Sequence, residues 1–165
     1  MRILVISDTH IPVAALSLPP IVLQEAKKAD CCFHAGDFIE YSLFQTLCSL
    51  TKTYAVCGNM DCQQLRNELP EEMVVQLEGV KIALTHGAGH PANLLNYIQN
   101  KFASRMEEID IFVFGHSHCA TDKESGGKIY FNPGSATDKV FTACRSYGIL
   151  DISGRSITRS ILKIE

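Results

Sequence analysis

The chain has 165 residues, of which 46% are apolar, and this length and apolar content predict a single domain, residues 1–165, with a buried core. A mean hydropathy of +0.06 and a formal net charge of −3, from 18 acidic and 15 basic residues, exclude a disordered, highly charged chain. Because neither sign forms a long block, the sequence also gives no indication of a nucleic-acid-binding patch or a polybasic membrane anchor.

Short apolar runs without interruption predict strands that are covered on both faces. They lie at Ile3–Ile6, Cys31–Phe33, Tyr54–Cys57, Ile82–Leu84 and Ile109–Phe114.

Apolar residues at helical spacing predict helices between these strands. Ser17 and the prolines that follow it predict the cap and first turn of a helix that contains Val22 and Ala26. Two further helices are predicted over 43–50 and, after Pro91, over 94–102.

The segment after Gly126 differs from the preceding alternation of strands and helices. It contains short β runs, with turn signals at Asn132-Pro133-Gly134 and at Ser153-Gly154. The whole pattern predicts an α/β layered sandwich with a β-rich C-terminal part.

The first residues and the longest uncharged stretch indicate neither export nor membrane insertion. Ser7 and Asp8 interrupt the first apolar run too early for a secretory signal. The uncharged stretch 82–100 contains two histidines and a proline, which makes it costly to place in a bilayer. We therefore expect a cytoplasmic protein.

The seven cysteines form no C-x-x-C pair, which argues against a disulfide framework or a thiolate zinc site. We expect most of them to be small buried side chains. Cys57, Cys62 and Cys119 lie within three residues of candidate ligands, so a role in binding a soft metal stays open for them.

Polar residues follow all five predicted strands, in the segments 7–10, 36–37, 58–61, 85–87 and 115–118. Because ligands of open α/β sheets bind beyond the carboxyl ends of the strands, we expect these segments to meet. Asp8 and His10, and likewise His116 and His118, are two residues apart. Each pair would point the same way if the backbone stays extended past its strand.

Six or seven oxygen and nitrogen ligands are too many for one tetrahedral zinc site and favour two metals that share a carboxylate. Imidazole, carboxylate and amide ligands are compatible with Mn²⁺, Fe, Zn²⁺, Ni²⁺ or Co²⁺. Three neighbouring residues have supporting roles in this interpretation: Asp61, Asn132 and Ser135 would stabilise the turns that hold the ligands.

The order Asp-x-His, Gly-Asp, Gly-Asn-x-Asp, His-Gly, Gly-His-x-His resembles the calcineurin-like metallophosphoesterase superfamily over nearly the whole chain. The short length and the Asn132–Ser135 segment are similar to its small prokaryotic phosphodiesterase subgroup. The resemblance implies two mixed β-sheets flanked by helices, in α/β/β/α order, and two divalent metal ions, with Mn²⁺ as the first candidate. It implies ligand sets of Asp8, His10 and His118 for one metal, Asp37 as the bridge, and Asn59, His86 and His116 for the other.

The resemblance further implies hydrolysis of a phosphate ester by a water or hydroxide activated at the dinuclear centre. Asp37, Asn59, His86 and His116 would be catalytic, and Asn59 would also contact the substrate. His90, four residues after His86, is a further candidate for binding the substrate phosphate.

One position departs from many members of the superfamily. They have histidine between the Asn and Asp of the third motif, where this chain has Met60. A thioether cannot protonate a leaving group, which favours a phosphodiesterase acting on a small-molecule ester. A phosphomonoesterase acting on a small phosphorylated metabolite is the alternative, and a non-catalytic scaffold similar to the retromer subunit is another.

The oligomeric state is open on sequence alone, although similar proteins are often dimers and we expect a homodimer or higher homo-oligomer. Phe131, Phe141 and Tyr147 fit either an interface or the core.

Overall fold

The computed structural model describes residues 1–165 and contains ten strands, four α-helices and two short 3₁₀ helices. The strands are β1 (Arg2–Ile6), β2 (Cys31–His34), β3 (Lys52–Ala55), β4 (Glu72–Leu77), β5 (Val80–Thr85), β6 (Ile111–Val113), β7 (Thr121–Ser125), β8 (Lys128–Asn132), β9 (Arg145–Ser153) and β10 (Ser156–Ile164). The helices are α1 (Pro20–Lys28), α2 (Tyr41–Leu50), α3 (Gln63–Glu68) and α4 (Leu94–Lys101), with 3₁₀ helices at Pro91–Asn93 and Ala103–Glu108.

The strands form two mixed five-stranded sheets, in the orders β10-β9-β1-β2-β3 and β4-β5-β6-β8-β7. β1, β2 and β3 are parallel neighbours in the first sheet, and β5, β6 and β8 are parallel in the second. The remaining neighbouring pairs, among them β1 with β9, are antiparallel. All of these parallel strands except β8 lead at their carboxyl ends into the predicted ligand segments.

The residues of β1 alternate between the two faces of the first sheet, as the period of two in a strand requires. Ile3 and Val5 belong to the apolar cluster between the sheets, together with Ile82 of β5. Leu4 and Ile6 pack on the opposite face, in a cluster that contains residues of α1 and α2. A third cluster joins α4 to the outer face of the second sheet. The order of layers is therefore α/β/β/α, which confirms the predicted fold class.

Helix α1 begins without the predicted serine cap. Pro19 occupies the N-cap position, with φ −54°, and Pro20 is the first helical residue, while no side chain caps the helix. Two prolines fix φ near the helical value and lack N–H groups, so the first turn needs fewer capping bonds.

The strands differ from the prediction in number and length. β4 and β7 were not predicted, because their residues are half-buried or exposed at the sheet edges and do not form a clear apolar run. β9 and β10 are nine residues each, rather than short, and pair over their full length as a hairpin that turns at the predicted Ser153-Gly154.

The cysteines are all free, but the expectation that most are buried is wrong. Only Cys31 and Cys32 are buried, whereas Cys48, Cys119 and Cys144 are exposed. Phe131 and Tyr147 lie in the core, and Phe141 is 77% exposed. None of the helices has the length and apolar character that a membrane span requires.

Candidate metal centre

The segments after the strands bring the predicted ligands together at the carboxyl ends of strands from both sheets. A first group consists of Asp8, His10 and His118, whose ligand atoms lie within 4.8 Å of one another. Nε2 of His10 is 3.2 Å from Nε2 of His118, which in turn is 3.5 Å from Oδ1 of Asp8. The loop after β1 supplies Asp8 and His10, and the loop after β6 supplies His118.

A second group consists of Asp8, Asp37 and His86, all buried. Nε2 of His86 is 3.3 Å from Oδ2 of Asp37 and 4.0 Å from Oδ1 of Asp8. The side-chain oxygen of Asn59 lies 3.2 Å from the same imidazole nitrogen. The amide and carboxylate oxygens therefore face one ring nitrogen from different sides.

Asp37 connects the two groups through one oxygen. Its Oδ2 is 3.4 Å from Nε2 of His10 and 3.3 Å from Nε2 of His86. Its Oδ1 accepts a hydrogen bond of 2.7 Å from the backbone N–H of Met60. The backbone thus holds one oxygen and leaves the other between the histidines of both groups.

His116 adjoins the second group. Its ring centroid is 5.2 Å from that of His86, and its backbone N–H donates to the Asp8 carboxylate at 3.0 Å. Nε2 of His116 donates to the backbone oxygen of Gly89 at 2.9 Å, which leaves Nδ1 as the free ring nitrogen. All seven predicted ligand residues are therefore close together.

Hydrogen bonds to the outer ring nitrogens orient two more imidazoles. Nδ1 of His86 donates to the backbone oxygen of Ala35 at 2.7 Å. Nδ1 of His118 is bonded to Oδ2 of Asp138. Such bonds orient each ring and make Nε2 the atom that a cation would bind.

The ligand pairs meet through left-handed backbone and not through the extended backbone that the sequence suggested. The φ angles are +51° for Asp8, +43° for His10, +62° for Asp37, +68° for His116 and +56° for His118. Residues other than glycine rarely adopt this region, which costs about 1–3 kcal/mol each when strained. Each strand therefore ends abruptly, and the turn redirects the side chain towards the neighbouring loop.

Two glycines allow the ligand loops to approach each other closely. A Cβ atom at Gly58 would overlap the Asp37 carboxylate, and one at Gly115 would overlap the side chain of Ser7. Only glycine fits at these positions, because the obstructing atoms belong to Asp37 itself and to the residue that donates to Asp8.

Burial and mutual charge shift the pKa values of the central groups. Burial raises the pKa of Asp8 more than the imidazoles of His86 and His118 lower it. Burial also acts to raise the pKa of Asp37, but the hydrogen bond from His86, the Met60 amide and His10 together lower it below its usual value. Burial alone would lower the pKa of His86, but Asp37 and Asp8 raise it to about 9. The buried carboxylates thus create a strong demand for positive charge.

The hydrogen-bond network includes two residues that the sequence did not single out. His34 is fully buried; its Nδ1 accepts from the Gly36 N–H at 3.2 Å, so its Nε2 donates to the Thr9 hydroxyl at 3.0 Å. It thereby joins the loops that carry Asp8 and Asp37. Asp138 is 20 residues from its partner His118, and an aspartate in a loop gives no sequence signal for that role.

The three residues predicted to support the turns do so. Asp61 accepts from the backbone N–H groups of Gly58, Asp37 and Ile39 at 2.8, 3.2 and 2.9 Å. The Asn132 side-chain amide donates to the backbone oxygen of Gly115 at 2.9 Å, and the Ser135 hydroxyl donates to the backbone oxygen of Asp8 at 2.7 Å. These bonds confirm the predicted supporting roles.

His90 and the cysteines lie outside the two groups. His90 is exposed and caps the 3₁₀ helix Pro91–Asn93, where its Nδ1 accepts from the N–H of Ala92 at 3.2 Å. No hydrogen bond or ion pair joins it to the seven residues, and a role in binding substrate stays a prediction. Neither group contains a cysteine.

The donor set fits two divalent cations. Ligand atoms about 2.0–2.2 Å from a shared metal lie roughly 3–4 Å apart, and the central distances of 3.2–4.0 Å match this spacing. The converging atoms are carboxylate oxygens, an amide oxygen and imidazole nitrogens, and in His86 and His118 the other ring nitrogen is bonded elsewhere. Two buried carboxylates facing these nitrogens supply the negative charge that such cations require.

The family model described as the calcineurin-like phosphoesterase superfamily domain matches residues 1–155. The chain belongs to the calcineurin-like phosphoesterase superfamily. This membership agrees with the arrangement of the ligand groups, because calcineurin-like phosphoesterases use divalent metals.

Curated relatives within the superfamily match almost the whole chain. A probable metallophosphoesterase of Methanothermobacter thermautotrophicus is 30% identical over 163 residues, which cover 99% of this chain and 92% of that protein. The probable metallophosphoesterase YsnB of Bacillus subtilis is 31% identical, with 96% and 88% covered.

Solved structures share the fold. The crystal structure of Vps29 from Entamoeba histolytica, complexed with Zn²⁺, has a TM-score of 0.76 and 26% identity and covers 99% of both chains. This Vps29 structure thus shares the two-sheet fold flanked by helices with the present chain.

Proposed function

We propose that the protein is a metal-dependent phosphodiesterase that hydrolyses a small-molecule phosphate ester. The observation that carries this proposal is the position of Asp37 Oδ2, which is 3.4 Å from Nε2 of His10 and 3.3 Å from Nε2 of His86. A carboxylate oxygen between two groups of ligands is what a bridged pair of cations requires. Asp8, His10 and His118 would hold one cation, and Asn59, His86 and His116 the other.

Two bound divalent ions would polarise the phosphate oxygens and lower the pKa of a shared water, so that attack on phosphorus becomes feasible near neutral pH. The chain contributes the orientation of the ligands. Because Oδ1 of Asn59 faces His86, the Nδ2 group of the same amide is free to donate to a phosphate oxygen. His90 would add a second contact to the phosphate. Mn²⁺ is the proposed metal, with Ni²⁺, Zn²⁺, Fe and Co²⁺ as alternatives.

Met60 supports a diester rather than a monoester substrate. Its backbone N–H holds Asp37, and its side chain is about half exposed beside the centre. A thioether cannot donate the proton that a poor leaving group needs, and such a donor contributes about 10²–10⁴ in rate. A monoanionic diester with a good leaving group depends least on this proton.

The scaffold alternative rests on the likeness to Vps29. The intact donor set argues for catalysis instead, because a scaffold needs no bridging carboxylate between two ligand groups.

Metal reconstitution tests the proposal. The protein would be stripped with chelator, loaded with Mn²⁺, Ni²⁺, Zn²⁺ or Mg²⁺, and assayed on bis(4-nitrophenyl) phosphate and 4-nitrophenyl phosphate. We expect metal-dependent release of nitrophenol, with the diester preferred. Preference for the monoester would support the metabolite phosphatase, and metal binding without either activity would support the scaffold.

A further inference from the structure

An apolar cavity of about 680 Å³ adjoins the metal centre. His10, Asp37, Asn59, His116 and His118 form its polar side. Its other side consists largely of apolar side chains from three separate segments, with Val13, Met60 and Phe141 among them. A group attached to a phosphate at the metal centre would therefore enter an apolar space.

The apolar side chains around this cavity are unusually exposed. Val13 is 78% exposed, Met60 52%, Val140 81% and Phe141 77%. Isolated exposed apolar residues are common, but several gathered at one cavity indicate a binding surface. Leu16 is 91% exposed and is not part of this cavity, which makes it a useful reference position.

Hydrogen bonds from the backbone position the aromatic ring of this surface. Oδ1 of Asp138 accepts from the N–H groups of Val140 and Phe141 at 2.7 and 3.2 Å. The Phe141 ring then stands nearly perpendicular to that of His118, with an interplanar angle of 87° and 5.7 Å between centroids. Asp138 therefore connects a metal-ligand imidazole to the apolar wall.

The charges of the cavity limit the kind of group that fits. No lysine or arginine lines it, and its carboxylates are Asp37 and Asp138. A second anionic group on the substrate would find no cation in the cavity apart from the metals. An uncharged apolar group, by contrast, would be removed from water beside Val140 and Phe141.

We propose that this cavity binds an uncharged aromatic or apolar ester group of the phosphodiester substrate, with Phe141 as its principal contact. The inference rests on the proposed phosphodiesterase function and names the substrate class of the same site. It predicts preference for diesters whose second ester group is a ring over those in which it is small, and discrimination against groups with additional negative charge.

Two diesters that share the same leaving group separate the preference for an apolar ester group from the rate of the hydrolytic step. Phenyl 4-nitrophenyl phosphate and methyl 4-nitrophenyl phosphate would be compared by kcat/KM in the Mn²⁺-loaded protein, in Phe141→Ala and in Leu16→Ala. Because the two esters differ in intrinsic reactivity, the informative quantity is the change in their ratio between proteins. We expect Phe141→Ala to reduce the phenyl-to-methyl ratio by about 3- to 10-fold, the range that one aromatic contact supplies. Leu16→Ala should leave the ratio unchanged.

Binding of unreactive ligands gives a readout that does not depend on turnover. Diphenyl phosphate and dimethyl phosphate carry the same charge, and calorimetry on the Mn²⁺-loaded proteins would give both dissociation constants. We expect diphenyl phosphate to bind about 10-fold more tightly, and Phe141→Ala to lose most of this difference. Circular dichroism and metal content would establish that each variant is folded and loaded.

The outcomes distinguish the two proposals. If both esters are cleaved but their ratio and the ligand affinities are the same in wild type and Phe141→Ala, the apolar subsite is overturned and the phosphodiesterase stands. If neither ester is cleaved with any metal while diphenyl phosphate still depends on Phe141, the subsite stands and the phosphodiesterase fails.

Discussion

The carboxylate of Asp138 is bonded to Nδ1 of His118 and so directs Nε2 of that imidazole towards Asp8. The partners are 20 residues apart, and Asp138 is itself held by the Ser135 hydroxyl through its backbone N–H. The position of a proposed metal ligand therefore depends on a loop that contributes none of the proposed ligands.

Replacing this aspartate should weaken metal binding. We expect Asp138→Asn to lower the affinity for the metal at the His118 position by about 10- to 100-fold, because the amide orients the ring less well and does not raise its basicity. Calorimetric titration with Mn²⁺ measures the effect. Asp122→Asn, which alters only a surface pair with Arg159, is the matched control and should bind metal as wild type does. Equal affinities in both variants would remove Asp138 from this role.

Met60→His should change the choice of substrate. The backbone N–H that holds Asp37 is unaffected, and the half-exposed side chain leaves room for an imidazole. A proton donor at this position helps poor leaving groups most, so the ratio of monoesterase to diesterase activity should rise by about 10-fold or more. Phenyl phosphate, a monoester with a poor leaving group, and bis(4-nitrophenyl) phosphate measure the ratio, and Met60→Leu supplies the comparison. An unchanged ratio would contradict the leaving-group argument.

Asp37→Asn tests the bridging carboxylate. Loss of the shared negative charge should lower kcat by at least about 100-fold and weaken both metal positions together, since the same oxygen faces His10 and His86. Metal content per chain after dialysis and the rate with bis(4-nitrophenyl) phosphate are the measurements. Loss of only one metal equivalent, with the second retained, would show that Asp37 belongs to a single ligand set.

Glu25 predicts a pH dependence of stability that is independent of the metal centre. The hydrogen bond from Lys28 lowers the pKa of this carboxyl more than burial raises it, and a bond from Arg2 adds to the lowering. A group with a lowered pKa in the folded state stabilises the fold above its unfolded pKa, and this contribution is lost as the pH falls through the folded pKa.

Glu25→Gln should therefore reduce the free energy of unfolding by about 1 kcal/mol at pH 7, and the difference from wild type should shrink below about pH 4. Urea unfolding at both pH values measures it. Glu107→Gln, an exposed position, should change stability little at either pH. A difference that grows in acid would contradict the assigned sign.

Much of the architecture could be predicted because the apolar runs and helical repeats of the sequence coincide with strands and helices of the structure. The five apolar runs became β1, β2, β3, β5 and β6: three are extended by one to three residues, β3 is shifted and β6 is trimmed. Boundaries shifted where polar residues at strand ends still took part in the ladder, as Lys52 and Thr53 do beside β2. β4 escaped prediction because an edge strand buries only part of each side chain and needs no apolar run.

The sequence by itself determined the donor types of the candidate centre and the order of its proposed ligands along the chain, because both are properties of the residues alone. Only the tertiary structure decided how these groups meet. Asp8 and His118 have left-handed backbone angles that depend on hydrogen bonds from distant loops. The hydrophobic periodicity of the sequence does not predict such bonds. The partnership of Asp138 with His118 and the apolar wall at Phe141 likewise join segments through space, where packing and burial act irrespective of sequence separation.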